Sequence, residues 1–155
     1  MPYKVVYVIR DDDGSDIRMS AMWELMDRCA VIYPVDGQWA GGYHGTPVMV
    51  FNTLPDAYQF QHESIDFGRS EIWEVECKNL RKPRWIMYLS EVTPARGMTD
   101  FWNDGRWRTR EAGGFCRRCP PSGTRIADQV RLVRQIPLFE ARQSYVQRGD
   151  SNEML

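Results

Sequence analysis

The sequence predicts an α+β fold: a small mixed or largely antiparallel sheet with one or two packed helices and a long loop rich in Arg and aromatic residues. Three observations carry this. Residues 47–78 read as strand, helix, strand; residues 3–10 are rich in Val, Ile and Tyr and residues 129–136 in Val, Leu and Ile; and residues 98–123 follow no period at all. With 155 residues, 43% hydrophobic and 26% charged, the chain suits one core. That core is expected over 1–137, with 138–155 as a C-terminal helix or tail.

The first strand, 3–10, alternates poorly but is rich in Val, Ile and Tyr, and it ends at the turn Asp11-Asp12-Asp13-Gly14. Residues 20–30 place Met22, Met26 and Cys29 on one side, the spacing of an amphipathic helix capped by Ser20. Residues 31–33 read as a short strand and 34–42 as a turn-rich loop. A strand over 47–52 leads to a helix with Thr53 as cap, Pro55 near its first position and Asp56 on the positive end of its dipole. Residues 71–78 alternate cleanly, and Glu74 and Glu76 fall on one face, which must be wet to tolerate both charges. Residues 85–89 form a further strand after Pro83, and 129–136 the last one. The Arg-Gly-Asp-Ser at 148–151 reads as a chance match to an adhesion motif on a polar tail.

Charge is unevenly distributed. Net charge is −1, but residues 1–80 carry −7 and residues 81–155 carry +6. Arg outnumbers Lys by 17 to 3, and eight Arg fall between Gly105 and Arg134. Arg grips phosphate and carboxylate bidentately and stacks on rings. No stretch approaches the roughly 20 apolar residues of a spanning helix, and no basic and then apolar leader opens the chain. A protein of the cytoplasm is expected, without a membrane partner. Cys116 and Cys119 form a lone C-x-x-C; zinc wants four ligands, and His44 and His62 share no ligand-like spacing, so free thiols and no metal are expected.

A strand ending in Phe51-Asn52-Thr53, a helix of the pattern Leu54-x-x-Ala57-x-x-Phe60 and the strand Ile72-Trp73-Glu74-Val75-Glu76 together resemble small uncharacterised proteins encoded by tailed bacteriophages. Those proteins also tend to open like Tyr3-Lys4-Val5-Val6 and to close like residues 121–132. The resemblance implies a phage accessory protein in the host cytoplasm and no established activity. The middle segment is more distantly similar to the ADP-ribosyltransferase fold. That likeness would put Arg10 at a nicotinamide contact, Phe51-Asn52-Thr53 at the second-strand motif and Asp128 or Gln129 near the catalytic acid. Tyr43-His44-Gly45-Thr46 mimics another branch's His-Gly-Thr, but ahead of the second strand instead of on the first. The last strand lacks the Glu that such enzymes use to stabilise an oxocarbenium-like transition state, so the likeness implies layout and not chemistry.

Trp102, Arg106, Trp107, Arg108, Arg110, Arg117 and Arg118 interleave flat apolar faces with planar cations, a composition suited to a nucleotide: rings stack, guanidinium groups take phosphate. Tyr43 and His44, among glycines, join them as ligand contacts; the competing reading is an ordinary tight turn. The partner expected is a nucleotide-like small molecule or a host protein, bound without cofactor and without catalysis, and homo-oligomerisation is left open. An acidic first half argues against broad nucleic-acid binding, because it would repel the phosphate backbone. The alternatives are a transferase-like enzyme and a minor virion component.

Overall fold

In the computed structural model, residues 1–20, 30–64, 69–87, 95–103, 105 and 117–153 are described. Among them, β1 (Tyr3–Arg10), β2 (Asp16–Ser20), β3 (Ala40–Gly41), β4 (Val48–Phe51), β5 (Ser70–Lys78), β8 (Thr124–Ala127) and β9 (Gln129–Ile136) form one sheet in the order β3-β9-β5-β1-β4-β8, with β2 also on β1. Every pairing is antiparallel. The short strands β6 (Ile86–Met87) and β7 (Arg117–Arg118) form a separate ribbon, and the helices are α1 (Leu54–Ser64), α2 (Ala95–Asn103) and α3 (Leu138–Glu153). The α+β expectation holds. No helix among the described residues is long and apolar enough to cross a membrane.

The irregular alternation of β1 has a packing cause. Its two faces are both buried: Val6 joins Val48, Val50, Trp73, Val75, Val130 and Leu132, while Val5 joins Phe51, Phe60, Ile72, Ile136 and Ala141 beneath α1 and α3. A strand covered on both faces loses its polar alternation. β1 also marks a fork in the sheet. It meets β4 only at Tyr3↔Phe51, and from Val6 onward that edge is taken by β2. Lys4 sits at the fork, where its Nζ donates to the Met49 carbonyl at 2.7 Å.

Thr53 caps α1 as expected: its Oγ accepts from the Asp56 amide at 3.3 Å and donates to Asp56 Oδ2 at 2.6 Å. α3 is an integral layer of the fold. Arg148 Nη1 donates to Asp56 Oδ1 at 2.7 Å, and Tyr145 packs on Tyr58 with ring centroids 5.3 Å apart. The adhesion-like tripeptide is therefore helical, with its Arg engaged. Burial opposes the ionisation of Asp56, but hydrogen bonds from Thr53, Arg148 and Ser122 outweigh it and hold the carboxyl below its ordinary range.

Several local expectations change. The turn expected over 11–14 is present, with the Gly14 amide donating to the Asp11 carbonyl, and β2 follows it where no strand is expected; the helix expected over 20–30 falls almost wholly outside the described residues, as do 88 and 89 of the strand expected over 85–89. Ala40–Gly41 is a strand, not loop. Residues 98–103 belong to α2, and Thr124–Ala127 is a strand of its own, split from β9 by Asp128.

Candidate functional site: a basic corner of the sheet

Only part of the Arg and aromatic region falls within the described residues. Trp102 lies in the last turn of α2, edge-on to the buried Phe101 with centroids 4.9 Å apart. Arg106, Trp107, Arg108, Arg110 and Cys116 lie outside the described residues. Arg117 and Arg118 form β7, opposite Met87 and Ile86. Cys119 is exposed and not bridged. Tyr43 and His44 share a single 3-10 turn, Tyr43–Gly45, with ring centroids 4.2 Å apart. His44 has φ 49°, a left-handed conformation that costs a non-glycine residue strain.

Register decides what surrounds that turn. Gly41 and Lys78 both pair with Gln129, from opposite sides of β9, so the ends of β3 and β5 meet the β8–β9 junction at one corner. The Asp128 amide donates to the Lys78 carbonyl at 2.9 Å. A Cβ on Gly41 would stand 3.4 Å from the Asp128 carbonyl oxygen, so the turn carrying Tyr43 and His44 leaves the sheet beside this junction. Trp39 lies over the same corner. Lys78 Nζ is 4.3 Å from its ring centroid and the Arg131 guanidinium carbon 5.0 Å, both within cation–π range.

The charges of the corner are unequally matched. Arg131 pairs with Glu76 at 2.6 Å, and Arg81 with Asp128 at 3.0 Å. Asn79 Nδ2 also donates to Asp128, at 3.0 Å. Lys78 donates to the neutral Gln129 Oε1 at 3.0 Å. Beyond Arg81, whose backbone is bonded in both directions to Ile126, come the exposed Lys82 and Arg84. Lys78, Lys82 and Arg84 have no carboxylate partner among the described residues. Arg84 and Trp85 run directly into β6, which pairs with β7, so the ribbon sets positions 117 and 118 next in line after 84.

Sequence reading passed over Lys78, Arg81, Lys82 and Arg84. A signal was present: no acidic residue occurs between Glu76 and Glu91. Dividing the chain at residue 80 cuts that cluster in two and hides it inside two opposite totals. Trp39 carried no signal, because its neighbours come from strands 39 and 92 residues further along the chain.

No protein-family model, curated protein or solved structure matches this chain. Geometry alone therefore bears on the transferase-like positions. Arg10 is at the far end of β1, 3.9 Å from Asp16 in the hairpin. Phe51 is beside Tyr3 at the other end, which the rise of a strand puts about 23 Å away. Asn52 donates its amide to Gly123, Thr53 caps α1, and Asp128 is engaged by Arg81 and Asn79. Arg10 and the residues 51–53 thus stand at opposite ends of β1. The carboxylates of β5 are engaged by cations: Glu71 takes two bonds from Arg18 and one from the Trp73 indole, while Glu74 and Glu76 face Arg134 and Arg131.

Proposed function

We propose that this chain is a non-catalytic phage accessory protein that binds an anionic, nucleotide-like ligand inside the infected cell. The observation that carries the reading is a run of cations with no carboxylate partner among the described residues: Lys78 closes β5, Lys82 and Arg84 follow it, and the β6–β7 ribbon pairs the backbone of positions 117 and 118 with the residues just after Arg84. Guanidinium and ammonium groups without carboxylate partners retain their attraction for phosphate, and Trp39, Tyr43 and His44 supply rings at the same corner.

The test is a calorimetric titration with a panel of mono- and dinucleotides, alongside the variant Arg117→Ala/Arg118→Ala. Each charge-assisted contact is worth about 1.5–3 kcal/mol, so the variant should bind about tenfold or more weakly while Tm moves by no more than a few degrees. Incubation with nicotinamide dinucleotide labelled in its nicotinamide ring separates binder from enzyme. Release of free nicotinamide would refute the non-catalytic reading, whereas retention of the intact dinucleotide supports it.

A further inference from the structure

We infer that the corner built from Trp39, Lys78, Lys82, Arg84 and Arg131 is a binding surface for single-stranded nucleic acid, with Trp39 as a stacking platform and Lys78, Lys82 and Arg84 as phosphate contacts. The inference rests on the reading of the chain as a binder of anionic ligands and names the polymeric class of that ligand.

The arrangement of the cations favours a strand over a single phosphate group. A site for one phosphate gathers its donors around a point. Here the chain strings them out: Lys78 is over Trp39 on the β9 side, and Lys82 and Arg84 come after the Arg81–Ile126 bridge on the β8 side. A row of cations beside a partly exposed indole is the combination that tracks a flexible phosphate backbone while a base stacks. An unstacked base is required for that contact, which selects a single strand over a duplex. The platform is held rigidly, because Trp39 directly precedes β3 and is stacked upon by side chains of β5 and β9.

The acidic first half does not oppose this. Its densest cluster, Asp11, Asp12, Asp13 and Asp16, occupies the β1–β2 hairpin beyond Arg10, whereas Lys78 extends past Tyr3 at the opposite end of the sheet. The length of β1 alone, about 23 Å, exceeds a screening length of about 8–10 Å, so the hairpin scarcely affects the field at the corner. Among the described residues, two carboxylates at the corner are matched by cations: Glu76 by Arg131 and Asp128 by Arg81. Whole-chain charge predicts repulsion only if the acids are spread evenly, and the fold separates them from the bases.

Fluorescence anisotropy with a labelled oligothymidylate of about 16 nucleotides tests the inference. Binding in the micromolar range at about 50 mM salt is expected, with log affinity falling against log salt at a slope of about −2, from roughly three phosphate contacts on a single strand. Lys82→Glu/Arg84→Glu changes only exposed side chains and should weaken binding at least about tenfold with an unaltered circular dichroism melt. Trp39→Leu should weaken it about tenfold, and Arg10→Glu, at the far end of the sheet, should leave it unchanged. If Trp39→Leu unfolds, the Lys82/Arg84 variant carries the test alone. The inference is overturned if that variant binds as wild type does, or if polyglutamate competes as well as the oligonucleotide. Binding of a mononucleotide without the oligomer would sink the polymeric class and leave the proposed function standing; binding of neither would sink both.

Discussion

Replacing Lys4 by Met probes the energetic anomaly at the fork of the sheet. Lys4 is 6% exposed; among the described residues its ammonium has one acceptor, the Met49 carbonyl, and lies over the Tyr33 ring, 5.2 Å from centroid to Nζ. No carboxylate compensates it among the described residues. Burial therefore pushes its pKa down from 10.5 to about 8, only slightly opposed by the Cys77 thiol. A displacement of that size is worth about 3 kcal/mol. Its sign follows from proton counting: between the folded and unfolded values the unfolded chain binds more protons, so raising the pH favours the fold, and below about pH 8 the whole penalty is present. Two neighbours act in the opposite direction. Burial raises Cys77 from 9.0 to about 11 and lifts the Tyr33 phenol beyond the ordinary tyrosine range, so both erode stability as pH rises above their unfolded values. The clean window is pH 7–9. There, wild-type stability should rise by about 1 kcal/mol in urea denaturation at constant ionic strength, and Lys4→Met should abolish the rise. At pH 7 the variant should lie within about 2 kcal/mol of wild type, because removal of the desolvation penalty offsets the stranded Met49 carbonyl. A Lys4→Met protein that keeps the wild-type rise between pH 7 and 9 would refute the assignment of a strained, uncompensated ammonium.

Two further outcomes test the packing. Gly123 has φ 74° and an added Cβ would stand 2.1 Å from Asp56 Oδ2, so Gly123→Ala should cost at least about 2 kcal/mol; a loss under about 0.5 kcal/mol by urea midpoint would show that the Asp56 clasp on this turn is loose. Trp73→Ala removes a side chain packed with Val6, Val75 and Leu132 and should cost about 3–5 kcal/mol by chemical denaturation, whereas a value below about 1 kcal/mol would place the core elsewhere.

Much of the fold was legible where local chemistry and tertiary environment agree. Thr53 and Asp56 announce α1 because capping is settled within four residues, and Trp73, Val75 and Cys77 against Glu74 and Glu76 announce β5 because alternation is settled by adjacent side chains. The misses have the opposite character. β2 is mostly polar and half-exposed, β3 is two residues long, and β8 is cut from β9 by the single residue Asp128; none is long enough to display a period, and each exists because a partner strand supplies its hydrogen bonds. The segment after 137 reads only as a helix or tail because few of its residues are apolar, and what docks α3 is distant: Ala141 in the core beneath it, Tyr145 on Tyr58 and Arg148 on Asp56. The same division applies to the basic corner. That residues 77–90 lack acids is a property of the sequence, and so is the richness in Arg that suits an anion. That Trp39 lies under Lys78 and Arg131, that the Tyr43–His44 turn emerges beside them, and that Asp11 to Asp13 are held at the other end of the sheet were decided by the antiparallel registers of β1, β3, β5 and β9. Local patterns report which face of a strand is buried. Which strand lies alongside, and at what offset, is set by long-range burial and hydrogen bonding that no local pattern contains.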